Sequence, residues 1–170
     1  MLAVSFCKLG LRCTYKCGTN EDLPDAVFLK ELFLRGLVIP VCPEVFGGLT
    51  TPRDPSEITG GNGFSVLESK AKVFSSKGVD VTKNFMDGAA MCVEIALKYG
   101  ATAAVLNEYS PSCGVNFVYD GTFSKKAVEG PGVLGAMFLK KAPQPFHLFG
   151  QLSEKDRIFL LNLFDKRKNL

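Results

Sequence analysis

The chain reads as an α/β protein: a three-layer, Rossmann-like fold with a mainly parallel sheet and cysteine-bearing loops at the carboxyl ends of its strands. Three observations predict this. Short apolar runs recur at Leu2–Phe6, Leu37–Val41 and Ala101–Leu106, and stretches of helical periodicity separate them. The runs are dominated by apolar residues, as strands of a buried parallel sheet are. Each then leads into a loop, the place where an open α/β sheet gathers its functional groups.

Taken in order, Leu2–Phe6 is a central strand ending at Cys7, and Lys8–Asp22 is a loop rich in Gly, Cys, Thr and Asn. Pro24 sits just inside a helix start. Ala26, Leu29, Leu32 and Phe33 recur at helical spacing up to the stop at Gly36. Leu37–Val41 delivers Cys42. Five Gly and three Pro between Pro43 and Gly63 predict a long functional loop. Phe64–Val81, with its Lys77-Gly78 turn, suggests a hairpin or excursion. Thr82 is placed to cap a helix running to Tyr99, with Phe85, Ala89, Cys92, Val93 and Ala96 on its apolar face and Gly100 as its stop. Ala101–Leu106 leads into Ser110-Pro111-Ser112-Cys113-Gly114. A short strand at Phe117–Tyr119, a helix over Pro131–Lys141, a strand at Pro145–Phe149 and a closing helix over Ser153–Lys168 complete the reading. That last helix turns Ile158, Leu161 and Phe164 inward. No linker divides the 170 residues, so one domain is expected, with a core over 1–142 and a strand–helix extension over 143–170.

A 46% hydrophobic and 22% charged composition is that of a globular protein. A formal charge of +3 is too slight for a nucleic-acid surface, and the one dense basic group, Lys166-Arg167-Lys168, reads as a solvated helix end. No apolar run has the length of a membrane span, and the N-terminus lacks the regions of a signal peptide. A cytoplasmic, reducing setting is therefore expected, in which the six cysteines serve packing, metal ligation or catalysis rather than disulfides.

Cys7, Cys42 and Cys113 follow three predicted strands and would converge if those strands are neighbours. A thiolate near backbone N–H groups ionises readily. Three of them suit an iron–sulfur cluster with one open iron, or a zinc ion with one open position. Gly114 is expected to let the backbone approach such a body closely. Cys92, on an apolar helix face, reads as packing, and neither Cys13 nor Cys17 is assigned a role. Glu44, close to a proposed ligand, either moves protons at a bound substrate or pairs with Arg53. Ser110 and Ser112 either donate to substrate or satisfy their own turn. Arg53, Ser112 and Asp120 are the candidate substrate-binding residues, Asp120 through the turn it forms with Gly121 and Thr122. His147, the only histidine, is taken as structural.

Together these phrases resemble a known family. The strings V-S-x-C-x-L-G, C-x-Y, I-P-V-C-P-E-x-x-G-G-L-x-T-P-R, S-P-S-C-G and Y-D-G-T-F-S, spread over Leu2–Leu139, are similar to the domain of unknown function 523 family, whose characterised branch is the thiouracil desulfurases. The resemblance implies a [4Fe–4S] cluster on three cysteines, Cys7, Cys42 and Cys113. Its fourth iron would take the sulfur of a thiolated pyrimidine or related small molecule, and hydrolysis would replace C=S by C=O without net redox change. It places the catalytic carboxylate on Glu44 and the catalytic serine on Ser110. Cys13 matches a cysteine that some branches lack. An aerobic preparation need not retain such a cluster, since the thiols of an empty site oxidise or cross-link. The chain departs from the family's R-Y-D-G after Cys13, where it has Thr14-Tyr15-Lys16-Cys17-Gly18, and at Phe6 and Lys8 beside Cys7. Two alternatives stand beside the enzyme: a nucleobase-binding protein without turnover, and a zinc protein on the same cysteines.

Overall fold

A computed structural model describes residues 1–165 of the chain. Four parallel strands form its central sheet: β1 (Leu2–Ser5), β2 (Val38–Val41), β5 (Ala103–Val105) and β8 (His147–Phe149), in the order β2-β1-β5-β8. Their side chains alternate between two apolar layers, as the pleat requires. Ala3, Ile39, Val41 and Ala104 face α4 (Thr82–Lys98) and α5 (Val133–Lys141). Leu2, Val4, Val38, Ala103 and Val105 face α1 (Ala26–Leu34) and α6 (Glu154–Asp165). This is the three-layer arrangement the sequence predicts.

The strand order positions the site. From β1 the chain steps to one side through α1, then crosses back over β1 through α4 to reach β5. Right-handed crossovers in opposite directions put those helices on opposite faces. The loops leaving β1 and β5 therefore diverge, opening a crevice at the carboxyl edge. Two antiparallel ribbons stand apart from the main sheet: β3 (Ser56–Thr59) with β4 (Lys72–Ser75), and β6 (Phe117–Tyr119) with β7 (Ala127–Glu129).

Several expectations need correction. The Pro43–Gly63 segment is not all loop: it contains the one-turn helix α2 (Pro43–Phe46) and strand β3, and α3 (Gly63–Leu67) follows directly. One helical turn shows no period, and Ser-Glu-Ile-Thr has a single apolar residue, so neither leaves a readable pattern. β3 exists because it pairs with β4 across the α3 insertion. The hairpin expected within Phe64–Val81 is thus made with an upstream partner. Thr82 is not the cap of α4: Asp80 Oδ1 accepts its N–H at 3.0 Å, while Thr82 Oγ1 accepts the Val73 N–H at 2.9 Å. Phe33 and Ile158 are exposed; α6 buries Phe164 as expected, half-buries Leu161 against the same core, and buries Leu160 in place of Ile158. The segment after residue 142, expected as an extension, supplies the edge strand of the main sheet. The Lys166-Arg167-Lys168 group lies outside the described residues.

Candidate active site at the carboxyl edge of the sheet

Cys7 follows β1 in a 3-10 turn, Phe6–Leu9, closed by Gly10 at φ +87°. Cys42 is the N-terminal cap of α2, immediately after β2. Cys113 sits in the turn after β5, where the Gly114 N–H donates to the Ser110 carbonyl at 2.8 Å. All three line one cavity of about 440 Å³, together with Glu44, Arg53, Ser110 and Ser112. Asp120 does not line it. Its carboxylate accepts the N–H and Oγ1–H of Thr122, at 3.0 and 2.6 Å, and lies 3.5 Å from Lys126; the neighbours Tyr119 and Phe123 face the cavity instead.

A fourth thiol joins the set. Cys13, given no role from sequence, is 6% exposed and packs with Cys7, Cys42 and Phe6. The neighbouring Cys42 and Cys7 thiols push the ionisation of Cys13 up, and the presence of Cys13 beside them is the main cause holding Cys7 and Cys42 below the usual thiol range. Asn20 Nδ2 also donates to Cys7 Sγ at 3.3 Å, and the Val45 N–H serves Cys42. Burial pushes the Cys113 thiol up, the charge of Cys42 adds to this, and Ser5 opposes it. Ser5 Oγ is buried with no oxygen or nitrogen partner. Cys17 and Cys92 lie outside the cavity lining, and Cys92 is fully buried on α4 as expected. Among the described residues no three His, Cys, Asp or Glu side chains close on one point tightly enough for a single metal ion.

Glu44 is held from both sides. Ser112 Oγ donates to its Oε1 at 2.7 Å, and Ser110 Oγ lies 2.9 Å from Ser112 Oγ. Ser110 Oγ accepts the N–H groups of Ser112 and Cys113 at 3.3 and 3.2 Å. With those two N–H groups donating to it, its own hydrogen is free to point at Ser112, so the hydroxyls form a chain running to the carboxylate. On the other side Arg53 places Nε 2.6 Å and NH2 2.5 Å from Glu44 Oε2. NH2 also donates to the Cys13 carbonyl at 2.9 Å, and NH1 to Thr50 O and Thr51 Oγ1 at 3.1 and 3.0 Å. Those bonds use all five guanidinium N–H groups. Arg53, expected to bind substrate, has no donor left for it and acts as a clamp on Glu44. The role expected of Gly114 also changes: a Cβ there would meet Phe117 O at 2.6 Å and Ser110 O at 2.9 Å, so the glycine closes its own turn rather than making room in the cavity.

Sequence reasoning missed the aromatic wall. Phe6, Tyr15, Tyr109, Tyr119 and Phe123 all line the cavity, and Tyr109 stacks between Phe117 and Tyr119 at centroid distances of 6.0 and 5.8 Å. Tyr109 and Phe123 both take φ +57°, a costly conformation for a bulky side chain. The buried Glu57 keeps Phe123 in place by accepting the N–H groups of Gly121 and Phe123 at 3.0 and 2.9 Å. Tyr109 was findable, since it follows β5 at the sheet's carboxyl edge. Tyr15, Tyr119 and Phe123 stand inside the quoted motifs but were given no role, and Glu57 carried no signal, because its place depends on ribbon packing.

A family model described as 2-thiouracil desulfurase matches residues 2–147. The chain belongs to the 2-thiouracil desulfurase family. A curated relative, the uncharacterized protein YbbK of Bacillus subtilis (strain 168), is 42% identical over 142 residues, covering 84% of this chain and 91% of that protein. Among solved structures, the [4Fe-4S]-dependent thiouracil desulfidase TudS superposes with a TM-score of 0.79 at 30% identity, over 95% of this chain and 97% of that one. Membership in the desulfurase family agrees with the fold and with the iron–sulfur character expected from the motifs. No helix among the described residues is long and apolar enough to cross a membrane.

Proposed function

We propose that this protein is an iron–sulfur-dependent desulfidase that hydrolyses the C=S group of a thiolated nucleobase or a closely related small molecule. The observation that carries the reading is the meeting, in one cavity, of Cys7, Cys42 and Cys113 with a carboxylate that accepts from Ser112, itself linked to the Ser110 hydroxyl. The donor set suits a soft metal body, because thiolates select iron–sulfur clusters and zinc. The buried Ser5 Oγ fits as well: with no oxygen or nitrogen partner, it is satisfied by sulfur at that wall.

Cys7, Cys42 and Cys113 would hold the cluster. When bound, it supplies a soft Lewis-acidic iron for the thione sulfur. Phe6, Tyr15, Tyr109, Tyr119 and Phe123 offer flat faces for a planar base and exclude bulk water. Glu44 takes a proton from the attacking water and returns it to the departing sulfur or the base. The Arg53 clamp keeps the carboxylate aimed, and Ser112 and Ser110 relay the proton between Glu44 and the base. No electron changes hands.

The test is anaerobic reconstitution with iron and sulfide, followed by sulfide release from 2-thiouracil. Stoichiometric cluster in the wild type, lost from Cys7→Ala, Cys42→Ala and Cys113→Ala, is expected. Glu44→Gln should keep its cluster and lose roughly 10²–10⁴ in turnover, the usual range for removing a general acid–base. A loaded wild type that binds thiolated bases without releasing sulfide overturns the enzymatic reading in favour of a binding protein.

A further inference from the structure

Cys13 is unexplained by a three-cysteine cluster. It comes from the loop after the 3-10 turn, not from a strand end, yet it is as buried as the three ligands. It lines the cavity they line, and it packs against Cys7 and Cys42. The backbone around it is built to keep it there. The Cys13 N–H donates to the Leu11 carbonyl at 2.9 Å, its carbonyl accepts from Arg53 at 2.9 Å, and the Arg53 N–H donates to the Tyr15 carbonyl at 2.9 Å. An incidental loop thiol needs none of these ties. Cys17, four residues on in the same loop, has no place in the cavity.

We infer that Cys13 is an exchangeable fourth thiolate ligand: it closes the iron that Cys7, Cys42 and Cys113 leave open, and yields that position to the sulfur of the incoming thiolated base. The inference rests on the cluster reading above and adds to it a residue outside the three-ligand set. The exchange balances without redox chemistry. With the cluster bound, Cys13 would give up its iron as the substrate sulfur takes that place; the base would lose its N–H proton on becoming a thiolate, and the released Cys13 sulfur would take up a proton. Because one guanidinium holds both the Cys13 carbonyl and the Glu44 carboxylate, withdrawal of Cys13 is felt at Glu44. Soft thiolate at the open position also shields the cluster from oxygen while no substrate is present.

The experiment is Mössbauer spectroscopy of wild type, Cys13→Ala and Cys13→Ser, each reconstituted anaerobically with iron-57 and sulfide and checked for folding by circular dichroism. The wild type is expected to show all its irons in sulfur ligation, and both variants a separate signal for one iron of the cluster. In air the variants should lose their absorbance near about 400 nm, the iron–sulfur band, several-fold faster than the wild type. If the wild type already shows the separate iron, with a spectrum and air lifetime matching the variants, Cys13 is not a ligand. Folded variants that bind no cluster at all make Cys13 obligatory, which overturns exchangeability. A folded wild type that takes up no cluster overturns both this inference and the reading it rests on, and so stands apart from the other two results.

Discussion

Gly88 lies mid-helix in α4 without a left-handed φ, so on local grounds Gly88→Ala should help: alanine is favoured over glycine in a helix interior by about 1 kcal/mol. Packing reverses the sign. A Cβ at Gly88 would stand 1.7 Å from the Pro43 carbonyl oxygen and 2.7 Å from the Gly47 nitrogen, and one at Gly47 would stand 2.0 Å from the Asn84 carbonyl. These neighbours are backbone, and Asn84 Nδ2 further ties the Gly47 carbonyl at 2.8 Å. Helix α2 is therefore seated directly on α4, and a methyl group pushes it back by more than an ångström. Overpacking of that kind costs about 1–3 kcal/mol, enough to outweigh the helical gain. Because α2 begins at Cys42 and carries Glu44, the shift also spoils the site, where a displacement of about 1 Å costs on the order of 10²-fold in rate. Urea denaturation should show Gly88→Ala destabilised, and iron and acid-labile sulfide analysis should show reduced cluster content. A variant as stable as the wild type with full iron content would refute the seating argument.

Further outcomes follow from other parts of the structure. Lys8 and Asp25 form a fully buried pair at 3.1 Å. Lys8→Met should cost about 3–5 kcal/mol by stranding Asp25, and Lys8→Met with Asp25→Leu far less; equal losses in urea for single and double variants would sink the pairing argument. Cys92→Ala should lower stability by about 1–2 kcal/mol through lost packing and leave iron binding intact; iron loss in a folded Cys92→Ala would move that thiol into the ligand set. Asp80 is held down to about 2, first by the Thr82 hydroxyl, then by Lys72 and the Thr82 N–H. Its folded value lies below the unfolded one near about 3.9, so its stabilisation is present above about pH 4 and fades as pH falls toward 2. The Asp80 side chain is 41% exposed, which keeps the contribution below about 1 kcal/mol. The stability gap between wild type and Asp80→Ala should narrow over that window, and a gap constant with pH would remove the carboxylate charge as its source.

How much of the molecule was legible depended on whether the information was local. β1, β2, β5, α1, α4 and α5 announce themselves, because a strand buried on both faces or a helix with one buried face writes its period into a few consecutive residues. α2, β3, α3 and β7 do not. They are short, and what stabilises them lies elsewhere in the chain: α2 needs the notch at Gly88, and β3 needs β4. The closing helix shows the limit of period reading, since Ile158 and Leu160 fit apolar faces equally well and only the surface beneath decides which is buried.

The site divides along the same line. Cys7, Cys42, Glu44, Ser110, Ser112 and Cys113 were named from the chain alone, because a thiol or carboxylate just past a buried strand is delivered to the sheet's carboxyl edge whatever the rest does. Arg53, Asp120 and Cys13 were beyond that reach. For Arg53 the sequence left substrate binding and pairing with Glu44 both open and packing decided for the pair, while Asp120 turned back on its own turn. Cys13 entered the thiol set only because a loop folded over it. Sequence by itself determined the chemical groups and the strand ends that present them. Tertiary structure alone decided which groups meet and which are already satisfied, because hydrogen-bond partners and close contacts are set by residues far apart in the chain.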